Sequence, residues 1–552
     1  MKKVIALCLA LALCAALLTG CGGGAGTTPQ PSASGNAPTP STSVEGDTLN
    51  VGLYAEIISM DSAFAYDFST NPVVIQVTES LLYYDENDQL QNGLTQSWEE
   101  VDPLTYVYHV RDDVTFSDGT PMTMEDVLFS LDRYRDPNAA SYLAWMYDNV
   151  ESIEQTGDWQ FTVKLKQADA LWKHTFATTG GHIHSKAYVE RTGDQYGTPE
   201  GGVLGTGPYT FVKWDVGSQI VLDYNENYWN KETEGEPDIK HIVFQVIPED
   251  TTRVMASTSG QIDLNLSTPV EMLGDVEGSQ QVNLTKIASA GLEFLSFNCQ
   301  KAPFDDVNVR KAIAYAIDAG SLQENIVKDF GTMTNYLPVP ESLFLFERDT
   351  WLAYEKSCLN YEHSLEKAQE SLALSGYPNG FDCTITVDEK SITNSVALIL
   401  QQAVAQIGIN ATIEKVSNDE VVSLQFGSGI DADGIRPYDI AIFEWSSDFP
   451  DPSGVLTPLY FSTNRGEGGS NSSAYVNAKV DALLLQQAAS SDEKERTALM
   501  LQALDIINDE VPYYIWTHQN WLFTVNNRIT AGIDNLTGTW FWNLYVKNIK
   551  IS

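Results

Sequence analysis

The side chains with the clearest chemical use lie in the stretch 445–452, whose sequence is WSSDFPDP. Trp445 offers a flat apolar surface, and Asp448 offers a carboxylate that accepts hydrogen bonds from a charged amine. The two prolines and the small polar residues between them predict a loop. The stretch therefore suits recognition of a small ligand. A core tryptophan beside a turn that its own aspartates stabilise fits the same residues equally well.

The sequence around this stretch predicts the elements that position it. The apolar run 438–443 is typical of a buried strand, so the loop leaves the carboxyl end of that strand. Further strands are predicted at 48–53, 383–387 and 410–416. Apolar residues at helical spacing predict helices at 73–82, 309–317, 364–374, 396–407 and 500–507. The alternation of strands and helices predicts an α/β fold with an open, largely parallel sheet.

A strand, a tight turn and a helix are predicted in succession between residues 106 and 131. The turn contains Asp118 and Gly119, residue types that favour tight turns. Thr123 can cap the helix that follows, with Asp126 near the positive end of the helix dipole.

The first residues of the chain have the pattern of an export signal. Lys2 and Lys3 precede an apolar segment at 4–18 that is too short to span a membrane comfortably. Small residues then lead to Cys21, an arrangement that resembles the lipobox of bacterial lipoproteins, in which the cysteine thiol receives a diacylglycerol. Residues 1–20 are thus predicted to be a signal peptide. The Gly-, Ser- and Pro-rich residues 21–46 are predicted to be a flexible tether.

Composition excludes several classes of function. The chain has 552 residues and a formal net charge of −42, which argues against binding to nucleic acid. No later stretch is apolar for long enough to span a membrane. The sequence contains no nucleophile elbow, zinc-protease helix, phosphate-binding loop or dinucleotide fingerprint. We therefore expect no enzyme and no cofactor, and a secreted hydrolase with a two-domain cleft remains the alternative.

Two histidines raise the possibility of a metal site. His182 and His184 can place two imidazoles on one face of a strand, as metal ligands often are. Because no third ligand lies nearby in the sequence, ordinary packed or surface histidines are the favoured interpretation, and no metal is predicted.

Several motifs occur in an order that resembles one protein family. They are the lipobox, GLTQSW, YHVRDDVTFSDGTPMTMEDVLFSLDR, GTGPY and PFDDVNVRKAIAYAID. In this combination they resemble the family 5 extracellular solute-binding proteins, which are the peptide, dipeptide and nickel receptors of ABC importers. The resemblance covers nearly all of residues 47–552. It implies a class II periplasmic-binding-protein fold, with two lobes around a cleft and an extra inserted domain.

The resemblance also implies a division into domains. The expected segments are 47–78, 206–290 and 522–552 for domain I, 79–205 for the inserted domain II, and 291–521 for domain III. The chain then crosses between the two lobes near residues 291 and 521, which predicts a two-segment hinge.

The candidate ligand-binding residues follow from the same resemblance. Trp445 and Asp448 match a Trp-x-x-Asp pattern whose carboxylate pairs with the α-ammonium group of a peptide in peptide-binding members. The segment Tyr66, Asp67 and Phe68 corresponds to one that runs alongside extended ligands. Two aromatic residues, Tyr142 and Trp145, are expected to form the far wall of the site, although core packing is the simpler explanation for each alone.

One departure from the family pattern limits the ligand assignment. Dipeptide-specific members place an arginine for the ligand carboxylate before the helix predicted at 396–407, whereas Lys390 is the only base there in this chain. A strict dipeptide site is therefore not expected.

The expected function is capture of oligopeptides by lobe closure and delivery to an ABC permease and its ATPase. The protein is expected to be a monomer, anchored through Cys21 on the outer face of the cell membrane, most simply at a Gram-positive surface. A nickel chelate, an opine or an oligosaccharide is the alternative ligand within the same class.

Overall fold

The computed structural model describes residues 46–333, 336–431 and 434–552. The predicted signal peptide, Cys21 and the predicted tether up to residue 45 lie outside the described residues. Within the described ranges, no helix combines the length and the apolar character needed to cross a bilayer.

The described residues contain short strands and two much longer ones. The strands are β1 Thr48–Leu53, β2 Leu82–Tyr84, β3 Leu90–Asn92, β4 Thr95–Asp102, β5 Thr105–Val110, β6 Val150–Gly157, β7 Gln160–Leu165, β8 Tyr209–Asp215, β9 Gln219–Tyr224, β10 His241–Val246, β11 Leu264–Asn265, β12 Val282–Phe297, β13 Gly331–Thr332, β14 Asp382–Val387, β15 Asn410–Lys415, β16 Ile440–Ser446, β17 Tyr513–Asn526, β18 Ile529–Ala531 and β19 Lys550–Ile551.

The helices are concentrated in the second half of the chain. They are α1 Asn71–Val74, α2 Met124–Arg135, α3 Trp172–Thr175, α4 Lys186–Thr192, α5 Lys231–Glu234, α6 Asp250–Thr258, α7 Leu273–Glu277, α8 Val307–Ala316, α9 Ala319–Leu322, α10 Arg348–Ser357, α11 Leu365–Leu374, α12 Ser391–Ala405, α13 Asn418–Gln425, α14 Ser453–Tyr460, α15 Ala478–Ala488 and α16 Glu493–Glu510.

One mixed sheet organises the molecule. Its strand order is β15-β14-β16-β12-β17-β11-β1-β10-β9-β8, and β13 also pairs with β17. β14 is parallel to β15 and β16, and β1 is parallel to β10 and β11. The prediction of a largely parallel sheet is nevertheless wrong. The long strands β12 and β17 are antiparallel to each other, β12 is antiparallel to β16, and β8, β9 and β10 are joined as antiparallel neighbours.

Most predicted elements are confirmed, including the strand–turn–helix segment. Thr123 caps α2, because its hydroxyl accepts a hydrogen bond from the Asp126 amide while the Asp126 carboxylate accepts one from the Thr123 amide. This reciprocal pair satisfies two amide groups at the start of the helix.

The helix predicted at 73–82 is wrong beyond its first turn, since α1 ends at Val74. The backbone after it bonds to other segments. The Val77 carbonyl accepts from the Gly207 amide at 2.9 Å, and the Leu81 amide donates to the Gly181 carbonyl at 2.9 Å. These distant partners use the groups that a continuing helix would need.

The larger groups of buried apolar residues form separate cores at different parts of the long strands. One core draws on residues 49–287 and 523–549, together with Phe449. Two others consist of residues between 290 and 516. The predicted domain boundaries stay a prediction. The chain passes from one apolar core to another close to the two expected crossing points, 291 and 521.

Candidate functional site

A cleft of about 1700 Å³ opens between these cores. Aromatic side chains form much of its wall: Tyr54, Tyr66, Phe68, Trp145, Phe330, Phe426, Trp445, Phe449, Trp521, Phe541 and Trp542. Acidic side chains outnumber basic ones in the cleft, with seven acids (Asp67, Asp148, Asp250, Glu271, Glu293, Glu444, Asp448) and two lysines (Lys328, Lys390). The cleft therefore favours a ligand with apolar surface and positive charge.

The predicted recognition loop lies at this cleft, although its start differs from the prediction. Trp445 and Ser446 are still part of β16, because Trp445 pairs with Leu292 of β12. The loop proper runs from 447 to 452, and α14 begins at Ser453. The half-buried indole of Trp445 donates to the Gly454 carbonyl at 3.1 Å, so its ring is fixed against the start of α14.

Asp448 is held from the opposite side of the cleft. Its carboxylate accepts a hydrogen bond from the Tyr66 hydroxyl at 2.9 Å, and its backbone carbonyl accepts one from the Trp542 indole at 2.7 Å. No residue in the described ranges forms an ion pair with it. Burial raises the pKa of Asp448 to about 6, and the Tyr66 hydrogen bond offsets part of that rise. The arrangement leaves a partly buried carboxylate in an aromatic cleft, with no counter-ion among the described residues.

Tyr66, Asp67 and Phe68 line the same cleft with different local roles. Asp67 stabilises the turn before α1, because one carboxylate oxygen accepts from the Ser69 and Thr70 amides, each at 2.8 Å. Phe68 packs edge-on against Trp521 and Phe541, with ring centroids 4.8 and 4.9 Å apart. These three residues are not part of a strand, so the expected backbone pairing with a ligand stays a prediction.

The two aromatic residues predicted for the far wall separate in the structure. Trp145 lines the cleft and lies near Tyr66 and Phe449, with ring centroids 6.1 and 6.2 Å away. Tyr142 is not among the residues that line the cleft; its ring packs edge-on against Phe64 at 5.5 Å. The wall is thus formed by Trp145 without Tyr142.

Lys390 lines the cleft but is already engaged by carboxylates. Its ammonium group lies 3.0 Å from Glu444 and 3.7 Å from Asp388. Burial alone would lower the pKa of Lys390, but the charges of Glu444 and Glu293 raise it above its ordinary value. Its charge is therefore largely offset before any ligand arrives.

His182 and His184 are hydrogen-bonded core residues. His182 pairs with the Thr78 hydroxyl at 2.6 Å, and His184 contacts the hydroxyls of Ser62, Tyr134 and Tyr196. Burial lowers the pKa values of His182 and His184 to about 3 and about 4, which keeps both rings neutral. This arrangement agrees with the favoured interpretation of packed histidines.

The family assignment follows from comparison with known proteins. A model described as bacterial extracellular solute-binding proteins, family 5 (middle part), matches residues 89–467. The chain belongs to this family. It is thus a substrate-binding protein of an ABC importer. Such a protein serves transport and acts outside the cytoplasm. The predicted periplasmic-binding-protein fold is confirmed.

Proteins similar to this chain match it over most of its length. The glutathione-binding protein GsiB of Escherichia coli O1:K1 / APEC is 27% identical over 89% of this chain and 91% of its own. Heme-binding protein A of Haemophilus influenzae is 26% identical over 86% of each chain. The structure of DppA from Helicobacter pylori, in complex with the peptide STSA, is 26% identical. It covers 91% of this chain and 98% of that one, with a TM-score of 0.73.

Sequence reasoning missed two groups of residues in the cleft of this family 5 protein. One is the aromatic cluster near the carboxyl end, which the dense run TWFW at 539–542 signals. The other is Glu293, a single carboxylate in the otherwise apolar end of β12. Such an acid in an apolar strand is a detectable signal, because burying an isolated charge is costly.

We expect Glu293→Gln to raise the melting temperature, and by more at pH 8 than at pH 5. Burial, followed by the charge of Glu444, raises the pKa of Glu293 well above its ordinary value. The folded state thus retains a proton that the unfolded state has lost, so wild-type stability falls as pH rises above the unfolded pKa of about 4.3. Glutamine does not titrate. Thermal melts at both pH values test this, and an equal shift at the two would contradict it.

Proposed function

We propose that this family 5 protein captures oligopeptides in its cleft and delivers them to the permease and ATPase of its ABC importer. The observation that carries the proposal is Asp448, a partly buried carboxylate that forms no ion pair with any described residue and lines an aromatic cleft. An α-ammonium group supplies both the missing positive charge and the hydrogen-bond donors, and the pair is stronger in this environment than in water.

The surrounding residues provide the rest of a peptide site. Trp445, Phe68 and Trp145 offer apolar surface, which can accommodate many different side chains. Asp67 and Tyr66 fix the segment that faces Asp448. Lys390 is paired with Glu444, so it offers little to a ligand carboxylate, and this supports peptides longer than a strict dipeptide.

Closure of two lobes is the proposed means of capture. The expected hinge points, 291 and 521, lie inside β12 and β17, whose pairing changes register between Ala288 and Leu292. The hydrogen bond from Tyr66 to Asp448 then joins residues assigned to different lobes. In this proposal a ligand ammonium takes the place of, or adds to, that hydrogen bond when the lobes close.

A ligand screen followed by mass spectrometry tests the function. We expect peptides with a free amino terminus to raise the melting temperature, because a ligand of the folded state stabilises it by mass action. Heme, a nickel chelate, an opine and an oligosaccharide form the comparison set. A peptide eluted after long incubation should be intact. A larger shift with the comparison ligands would refute peptide binding, and protein-dependent fragments would indicate a hydrolase.

We also propose that a lipid on Cys21 anchors the monomeric protein to the outer face of the cell membrane, at a Gram-positive surface. Two acyl chains give stable anchoring, and residues 21–46 then act as the tether. Cys21→Ala should release the protein into the medium. Cys14→Ala, within the apolar segment, is the matched control and should stay with the membrane. Fractionation and immunoblotting measure both; a Cys21→Ala protein that stays membrane-bound would rule out the anchor.

A further inference from the structure

The cleft contains a second group of carboxylates, formed by Glu293 on β12 and Glu444 on β16. These two residues are direct partners across the antiparallel strands, and both line the cleft. Direct partners project from the same face of a sheet, so the two carboxyl groups stand side by side. We call Glu293 and Glu444 the acidic pair.

One buried oxygen of the acidic pair accepts no hydrogen bond from a described residue. Glu293 is 2% exposed, and its Oε1 accepts a hydrogen bond from Gln519 Nε2 at 2.9 Å. Its Oε2 is buried and has no hydrogen-bond partner among the described residues. Buried polar atoms are nearly always satisfied in folded proteins, so this oxygen is available to a hydrogen-bond donor of the ligand.

The charges around the acidic pair favour a cation as that ligand group. Lys390 is the only base in the described ranges that forms an ion pair with this cluster, and it is shared by Glu444 and Asp388. Three carboxyl groups therefore surround one ammonium group, and even with Glu293 protonated the negative charges outnumber the positive one. A second positive charge would balance the excess and donate to Glu293 Oε2.

We propose that the acidic pair binds a basic side chain of the ligand, so that the protein selects peptides with lysine or arginine close to the amino terminus. This inference rests on the proposed function, in which Asp448 holds the amino terminus. Glu444 and Asp448 are four positions apart, so their Cα atoms lie within roughly 14 Å. A few extended residues with a long basic side chain cover that distance, and Trp445 between them offers a ring for the apolar stem.

Matched tripeptides test the preference by calorimetry. One series carries lysine at the first, second or third position of an otherwise all-alanine peptide. The other carries norleucine, which keeps the stem and removes the charge. Wild type should bind the better-placed lysine peptide at least about tenfold more tightly than its norleucine counterpart. Equal affinities at all three positions would overturn the inference.

Two variants locate the preference. Glu293→Gln should reduce the lysine-to-norleucine ratio to below about threefold. Glu444→Gln, at an exposed residue, should also reduce it. Asp215→Asn, at an exposed aspartate that pairs with Lys213 and is not among the residues lining the cleft, is the control and should keep the ratio. An unchanged ratio in both glutamate variants overturns the assignment. Failure of every peptide to bind wild type would instead refute the proposed function, and this inference with it.

Discussion

Replacing Asp448 by alanine should weaken binding of a peptide with a free amino terminus by about 30-fold to several thousand-fold. Asp448 has no ion-pair partner among the described residues and is desolvated by its surroundings. In the proposed complex its removal leaves the ligand ammonium buried and unpaired, which costs about 2–5 kcal/mol of binding free energy. Isothermal titration with one peptide on both proteins measures the difference.

Three comparisons show whether the charge itself is responsible. Asp448→Asn keeps the shape of the side chain and should fall between alanine and wild type. An N-acetylated peptide should bind wild type poorly and respond little to either variant. Asp215→Asn should change affinity by less than about threefold, because Asp215 is exposed, pairs with Lys213 and is not among the residues lining the cleft. Equal affinity of wild type for free and acetylated peptides would end the proposed role of Asp448.

The pH dependence of binding provides an independent measure of the same carboxylate. Since the pKa of Asp448 in the free protein is about 6, protonation competes with ligand binding below that pH. Affinity should therefore fall as pH decreases, by about tenfold for each unit below 6. Asp448→Asn has no such proton to gain. It should lose most of this dependence, and a wild-type affinity that is constant from pH 5 to pH 7.5 would argue against an ionised anchor.

The sequence was informative about single residues of the site and less so about their partners. Trp445 and Asp448 could be placed at the cleft because their residue types and local motif are distinctive, and Asp67 because its segment resembles one in family 5 proteins. The hydroxyl of Tyr66 on Asp448 and the indole of Trp542 behind it join positions far apart in the chain. No local pattern encodes such contacts. Tyr142 shows the converse, since an aromatic residue near Trp145 in sequence packs against Phe64 instead.

The same distinction holds for the fold. Helices such as α8 and α11 were predictable because their apolar spacing and caps are local. The direction of β12 and β17 was not, since the hydrogen-bond partner of a strand is set by tertiary structure. Likewise, residues after Val74 have helical apolar spacing but bond to segments near 181 and 207. In this segment, long-range backbone hydrogen bonds determine the structure in place of the local helical propensity.

A buried ion pair fixes the loop that carries Asp448. Arg496 on α16 forms two hydrogen bonds with the Asp451 carboxylate, at 2.8 and 2.9 Å, and each side chain is 2% exposed. Asp451 also accepts from the amide and hydroxyl of Ser453, the first residue of α14. The nearby positive charge of Arg496 outweighs the effect of burial and holds the pKa of Asp451 well below its ordinary value.

Replacing Arg496 by methionine should therefore lower the free energy of unfolding by about 3–5 kcal/mol, because it leaves Asp451 buried without its partner. The depressed pKa of Asp451 means that this stabilisation is present above pH 4 and is lost as pH falls through the folded-state pKa, so the difference between variant and wild type should shrink in acid.

Arg348→Met removes an exposed pair with Glu341 and should cost no more than about 1 kcal/mol. Urea unfolding at pH 7 and pH 3 measures all three proteins. The variant that also carries Asp451→Asn should recover part of the loss. Similar costs for Arg496→Met and Arg348→Met would show that the pair does not hold the loop.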